Sequence, residues 1–204
     1  FATAAGNSWR KDATASTNAG TYNFGPVNSG YQNMVTSEST GATPFGAGTI
    51  GYQSGYTRNW NGPIGEILVY KNNPTTAQRT EIETYLAIKY GISKGDNYVG
   101  GTSADGSAVT TTLYATTTNT PHNNNIFGIG RNDAWGLHQR QSKSASTFDF
   151  LRVGNNNIVN TTLGNDATAG NNLSADNAYL LMGDNNGSLS DWTTTSAPAK
   201  IGRA

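Results

Sequence analysis

Residues 64–92 read IGEILVYKNNPTTAQRTEIETYLAIKYGI and hold the two strongest local signals in the chain. The first part, Ile64–Tyr70, is apolar on both faces, which predicts a central strand covered on both sides. A helix is predicted to follow over residues 75–90, because Thr75 with Gln78 three positions later fits a capping box. A strand followed by one helix is therefore expected here.

The predicted helix has an end signal and a buried face. Gly91 occupies the position where a helix often ends on a left-handed residue. An apolar stripe at helical spacing is formed by Ala77, Ile82, Tyr85, Leu86 and the stem of Lys89. The polar residues Gln78, Arg79, Glu81 and Glu83 fall mostly outside this stripe.

Upstream of this stretch the chain reads as short strands between turns. The better strand candidates are Thr21–Val27, Tyr31–Thr36 and Thr49–Tyr52. Gly and Asn separate them at the spacing that is typical of a β-sandwich. The strands do not alternate with helices, as they would in βαβ units.

Downstream of residue 94 a different pattern recurs, in which an apolar strand leads into a Gly-Asn or Gly-Asp turn. The three strands are Ile126–Ile129, Phe148–Val153 and Ala178–Met182. Asn and Asp tolerate positive φ and bond their own backbone, so they favour such turns. We therefore predict a second all-β module, and the fold class is all-β with one helix.

Composition excludes several classes of function. The 204 residues carry 13 basic and 13 acidic side chains, a net charge of zero. Such a chain has no electrostatic footprint for nucleic acid or for an anionic membrane. No apolar run reaches the length of a membrane-spanning helix, so no membrane insertion is expected. Cysteine is absent, which excludes disulfides and thiolate metal sites.

Five sequence stretches carry a resemblance to a known family. WNGPIGEILVY (60–70) and YLAIKYGI (85–92) resemble the closing strand and terminal helix of laminin-G-like (concanavalin A-like) jelly-roll domains in giant bacterial surface proteins. NNNIFGIGRND (123–133), GLHQRQSKS (136–144) and LLMGDNNG (180–187) resemble the β-module that commonly follows those domains in secreted adhesins of Gram-negative bacteria.

The resemblance implies a division into two modules. Residues 1–92 would be the C-terminal part of a laminin-G-like jelly roll that includes the helix. Residues 94–204 would be a second β-sandwich-like module that is itself truncated. On this interpretation the chain is a segment of a larger parent polypeptide at the cell surface.

The acidic residues do not form the pair that a glycoside hydrolase needs. Such enzymes place two carboxylates close together on one face. Around Glu66 the strand offers no second acid, and Glu81 and Glu83 are two apart on a helix and so point in different directions. Glu66 is interpreted as a structural carboxylate paired with a base such as Arg58 or Arg79. With no zinc or triad motif around His122 and His138, the prediction is a non-enzymatic protein.

Calcium is the metal that the remaining acids could hold. Asp and Asn side chains on loops supply the oxygen ligands that this cation prefers, and laminin-G-like sandwiches often carry it. The candidate ligands are Asp184, Asn186 and Asp191, with Asp105 as another. The competing interpretation is that these residues simply make turns.

Three aromatic residues are the candidates for a glycan site. Tyr52, Tyr56 and Trp60 lie four apart in a segment rich in Gly, Asn and Arg. An exposed ring can stack on a sugar while neighbouring amides bond its hydroxyls. The alternative is that these rings form the core.

Two functions remain open. The first is a non-catalytic segment of a large secreted adhesin or filament-type protein, acting in surface adhesion or as a structural spacer. The second is a carbohydrate-binding module, with or without calcium. The expected partners are a surface glycan or protein, or neighbouring copies that pair through sheet edges.

Overall fold

A computed structural model describes residues 7–11, 14–16, 34–39, 64–101, 111–143, 152–155 and 173–185. In these residues the protein is all-β, with antiparallel sheets and one helix, as predicted. The strands are β1 (Asn7–Lys11), β2 (Thr14–Ser16), β3 (Val35–Ser39), β4 (Tyr98–Gly100), β5 (Thr111–Tyr114), β6 (Asn124–Asn132), β7 (Leu137–Gln139), β8 (Gln141–Lys143), β9 (Arg152–Gly154) and β10 (Ala178–Asp184). The helix, α1, is Thr76–Tyr90.

The strands form four small sheets. Two have three strands each, in the orders β2-β1-β3 and β10-β6-β7, and two are the pairs β4-β5 and β8-β9. In the longest pairing, β10 runs antiparallel to β6, with Leu180 opposite Ile129 and Leu181 opposite Gly128. A Cβ at Gly128 would lie 2.2 Å from the Leu180 carbonyl oxygen, so only glycine lets these two strands approach so closely.

The ends of α1 are those that the sequence predicts. The Thr75 side chain accepts a hydrogen bond from the Gln78 amide (3.3 Å), and the Gln78 side chain accepts one from the Thr75 amide (2.9 Å). Gly91 adopts φ 65° and ψ 33°, and the helix ends there. Both signals are local, which is why the sequence alone is enough to locate them.

The predicted buried face of α1 is wrong. The residues buried are Glu83, Thr84, Ala87 and Ile88, whereas the predicted stripe is only half-buried. Distant partners make the two polar members tolerable in the interior. Thr36 donates to Glu83 Oε1 (3.1 Å), and Thr84 Oγ1 accepts the Val99 amide (3.1 Å). Buried polar groups are acceptable when they are hydrogen-bonded, and no helical periodicity shows that in advance.

The main core lies between α1 and the strands that follow it. It consists of Ala87, Ile88, Tyr98, Tyr114, Ile126 and Leu137. The Tyr98 and Tyr114 rings meet edge to face at 6.0 Å, and the Tyr98 hydroxyl donates to the Ile92 carbonyl (3.0 Å). Thus α1 shares a core with the strands of residues 98–139, although the resemblance groups it with residues 1–92. The division at residues 92 and 94 stays a prediction.

The central strand predicted at Ile64–Tyr70 is wrong. This segment has no regular secondary structure, and Ile67 and Val69 are exposed. A two-sided apolar pattern reports only a preference for extended backbone, and a strand also needs a neighbour to pair with.

The other strand predictions have mixed outcomes. Thr21–Val27 and Thr49–Tyr52 lie outside the described residues. Of Tyr31–Thr36, only the end overlaps a strand, β3. The predicted strands at residues 126–129 and 178–182 are confirmed, each within a longer strand. Of Phe148–Val153, the described part overlaps β9.

Candidate functional site

A groove of about 720 Å³ opens along the outer side of α1. The segment before the helix supplies one part of its lining, which we call the wall, and α1 and the turn between β6 and β7 supply the rest. We call it the helix groove. Among the described residues, those that line it are Glu66, Leu68, Tyr70, Lys71, Asn72, Asn73, Pro74, Gln78, Glu81, Ile82, Tyr85, Ala134 and Trp135.

Glu66 attaches the wall, the segment before the helix, to α1. Its carboxylate accepts hydrogen bonds from the Tyr85 hydroxyl (3.0 Å), the Lys89 ammonium (2.9 Å) and the Tyr90 hydroxyl (3.2 Å). Lys89 also donates to the Tyr85 hydroxyl (2.6 Å) and lies 4.9 Å from the centre of that ring. The predicted pairing of Glu66 with a base is therefore present. Its partner is Lys89 and not Arg79, and Arg58 lies outside the described residues.

The ionisation of this cluster follows from its contacts. Burial alone would raise the pKa of Glu66, but the hydrogen bonds from Lys89, Tyr85 and Tyr90 bring it below its usual value. Burial alone would lower the pKa of Lys89, but the Tyr85 and Glu66 contacts raise it well above the ordinary value. Burial and the Glu66 charge raise the pKa of Tyr90. At neutral pH the pair is a carboxylate and an ammonium, and the phenol is neutral.

Trp135 also lines the groove, and a buried amide holds its backbone. Asn132 is fully buried, and its Oδ1 accepts the Trp135 amide (3.0 Å). Its Nδ2 lies within hydrogen-bond distance of three acceptors, the Gly101 carbonyl (3.2 Å), Asn177 Oδ1 (3.1 Å) and the Tyr179 hydroxyl (3.0 Å). Because Asn132 is the last residue of β6, this network attaches the turn to the sheet.

A second set of contacts holds the same turn from outside. Arg131 makes two hydrogen bonds to the Asp133 carboxylate, each 2.8 Å long. The hydrogen bond from Arg131 keeps the pKa of Asp133 below its usual value. The Asp133 amide donates to Asp176 Oδ1 (2.8 Å), and Gly136 takes a φ of 64° that few other residues adopt. The turn that carries Trp135 is thus held by hydrogen bonds on both of its sides.

An exposed apolar run lies beside the groove. Its side chains are Ile64, Ile67, Leu68, Val69 and Tyr70, with exposures between 39% and 73%. Single exposed apolar residues are ordinary, but a contiguous set on one segment indicates a contact surface. Leu68 and Tyr70 belong both to this apolar run and to the groove wall.

The predicted glycan residues are not those of the groove. Tyr52, Tyr56 and Trp60 all lie outside the described residues, so their role stays a prediction. The aromatic rings that the structure places at the groove are Tyr70, Tyr85 and Trp135. Sequence reasoning assigned the two tyrosines to a strand and a helix stripe, and did not consider Trp135. A tryptophan followed by Gly136 in a polar turn was the available signal.

The predicted calcium ligands are only partly described. Asp184 is exposed, and its carboxylate accepts two hydrogen bonds from the Asn125 amide (3.0 and 2.8 Å). Asn186, Asp191 and Asp105 lie outside the described residues. Among the residues that the structure does describe, no group of three or more His, Cys, Asp or Glu side chains is arranged to hold a metal ion.

The arrangement is better suited to binding than to acid–base chemistry. Glu66 is engaged by three donors and its pKa is lowered, whereas a general acid needs a raised pKa. The groove offers rings, amides and nearly balanced charges, which is the kind of lining that recognises a polar ligand.

Comparison with known proteins gives one finding. Residues 78–204 match a family described as a domain of unknown function, DUF8202. The curated proteins and the solved structures gave no match to the chain. The matched region begins within α1 and includes every strand of the main core. In the described part of the chain, the helix is too short and too polar to cross a membrane.

Proposed function

The chain belongs to the DUF8202 family, and we propose that it is a non-catalytic segment of a large secreted protein on the surface of a Gram-negative bacterium. There it acts in surface adhesion, and the alternative role within the same kind of parent protein is a structural spacer. The observation that carries the proposal is the exposed apolar run at residues 64–70. A segment that served only as an inert spacer would have no reason to keep five large apolar side chains in water.

Composition and resemblance support the location. A neutral chain without cysteine, rich in Thr, Asn, Ser and Gly, has the character of extracellular β-modules. The resemblance of residues 60–92 to the end of a laminin-G-like jelly roll points to the same class of parent protein. On this proposal its partners are the rest of that polypeptide together with a surface glycan or protein.

Adhesion can be tested with the purified chain attached to beads. We expect coated beads to be retained under flow on bacterial lawns and on glass, and Ile67→Ser and Val69→Ser to reduce retention severalfold. The matched control is Leu180→Ser, which changes an exposed apolar residue on β10, outside the apolar run. If wild-type beads are retained no better than albumin-coated beads, adhesion is wrong and the spacer role remains. Equal loss in the control would show a general effect of surface polarity.

The alternative function is a carbohydrate-binding module, which the rings and amides of the helix groove favour. The sequence-based site at Tyr52, Tyr56 and Trp60 gives this alternative its own test. A glycan array is probed with the wild type and Tyr56→Ala, with and without a calcium chelator. It tests whether Tyr56 takes part in glycan binding and whether that binding needs calcium. Loss of a hit in Tyr56→Ala supports that site, and loss with the chelator supports calcium.

A further inference from the structure

We propose that the helix groove is a binding site for a neutral saccharide, formed by Tyr70, Asn72 and Trp135. The proposal rests on the surface-recognition role above and names its ligand class and its site. It differs from the sequence-based expectation, because none of the residues is Tyr52, Tyr56 or Trp60.

Two aromatic rings in the lining of the groove, Tyr70 and Trp135, provide stacking surfaces. Tyr70 is 47% exposed, and Trp135 is half-buried and packs against the main core. Rings of this kind present an apolar face to the C–H groups of a sugar while the rest of the site stays polar. The Tyr85 hydroxyl, in contrast, is occupied by Glu66 and Lys89. Tyr85 therefore contributes its ring alone.

Side-chain amides supply the groups that bond hydroxyls. Asn72, Asn73 and Gln78 line the same groove. An amide offers both donors and acceptors, which matches a sugar hydroxyl that both gives and accepts a hydrogen bond. Gln78 Oε1 is taken by the Thr75 amide, so Gln78 would contribute its Nε2 hydrogens.

The charges of the lining favour a neutral ligand. Glu66 is balanced by Lys89, which is 2.9 Å away. Among the described lining residues, the other two charged ones, Glu81 and Lys71, have opposite signs. Within that described lining, an anionic ligand such as a uronate would meet two carboxylates and one lysine, and would lose water without gaining a matched partner. A neutral polyol pays no such cost.

The site is built before a ligand arrives. The buried Asn132 side chain holds the Trp135 backbone, and Glu66 fastens the segment before the helix to α1. Its volume of about 720 Å³ lies within the range of about 300–1,000 Å³ that is usual for small-ligand clefts. Preorganisation of this kind improves affinity, because less freedom is lost on binding.

The test uses the full chain and four defined probes by isothermal titration. Three are neutral (cellotriose, mannotriose and tri-N-acetylchitotriose) and one is acidic (trigalacturonate). We expect at least one neutral probe to bind, at least tenfold more tightly than trigalacturonate. Tyr70→Ala, Asn72→Ala and Trp135→Ala should each weaken that binding at least fivefold. Val69→Ala is the matched control, because Val69 neighbours Tyr70 but does not line the groove.

Every outcome decides. No binding to any neutral trisaccharide, equal binding to the acidic one, or binding that survives in both Tyr70→Ala and Asn72→Ala would overturn the proposal. Trp135→Ala counts only if its circular dichroism matches the wild type, and the other two variants lie on an exposed segment and do not depend on that condition. The adhesion test uses Ile67 and Val69, which are outside the groove. Failure of the wild-type chain to adhere, with saccharide binding intact, would therefore reject the proposed function alone.

Discussion

Replacement of Asn132 by alanine should destabilise the protein more than any other amide substitution in β6. The side chain is fully buried and takes part in four contacts, with its Oδ1 accepting the Trp135 amide and its Nδ2 lying near three acceptors. The Nδ2 amide has only two hydrogens for those three acceptors. With the bond that Oδ1 accepts, the side chain therefore makes three hydrogen bonds at one time. At roughly 1 kcal/mol for each net hydrogen bond, the loss is about 3 kcal/mol. Stranded buried partners make this a lower bound.

Urea unfolding, followed by far-ultraviolet circular dichroism, measures this difference. Asn124→Ala is the matched control: it removes the same side chain from the same strand, where Asn124 is exposed and its two contacts are 3.4 and 3.5 Å long. The control should stay within about 0.5 kcal/mol of the wild type. If Asn132→Ala is no more costly than Asn124→Ala, the buried network does not hold the turn, and the preorganisation of Trp135 fails with it.

Three further predictions concern the wall, the sheet and the helix cap. Because the pKa of Glu66 is lowered, its stabilising effect is present above the ordinary value of 4.5 and is lost as pH falls through the folded value. Glu66→Gln should therefore lower the free energy of unfolding at pH 7 by about 1–2 kcal/mol. The difference in unfolding free energy between this variant and the wild type should be smaller at pH 3. An equal difference at pH 7 and pH 3 would contradict the ion-pair argument. Gly128→Ala should lower the free energy of unfolding in urea by about 1–3 kcal/mol through overpacking. Gly136→Ala should lower it by only about 1 kcal/mol, because a Cβ there has open space and only the positive φ is unfavourable. The reverse order would disprove the close-approach argument. Thr75→Ala should cost about 1 kcal/mol of thermal stability, as typical for a lost N-cap, while Thr76→Ala, one residue inside the helix, should be neutral; equal effects would show that the cap is not responsible.

What the sequence predicts well is what neighbouring residues decide. The helix start at Thr75 and its end at Gly91 depend on contacts within one turn, and both are as predicted. The strand around residues 126–129 also follows from its own apolar pattern. These features need no knowledge of the rest of the chain.

What the sequence does not predict is decided by partners far along the chain. Burial of Glu83 is acceptable because Thr36, 47 positions earlier in the chain, donates a hydrogen bond to it. Burial of Thr84 is acceptable because the Val99 amide donates a hydrogen bond to its hydroxyl. A helical stripe drawn from apolarity alone must leave both residues outside. The Ile64–Tyr70 segment fails for the same reason, since its pattern contains no information about whether a pairing strand is present.

The two faces of α1 also explain why the groove could not be found from motifs. One face packs into the core that the family match includes, while Gln78, Glu81 and Tyr85 line the groove, and Tyr85 also packs against that core. The wall at residues 66–74 precedes the matched region, which begins at residue 78, whereas Trp135 lies within it. The groove is thus assembled from residues inside the matched region and residues that precede it. A chain with the same core but another segment before the helix would keep Trp135 and the helix floor and lose Tyr70 and Asn72. On the saccharide proposal, exchange of residues 64–74 should therefore change which ligand binds while the main core stays folded.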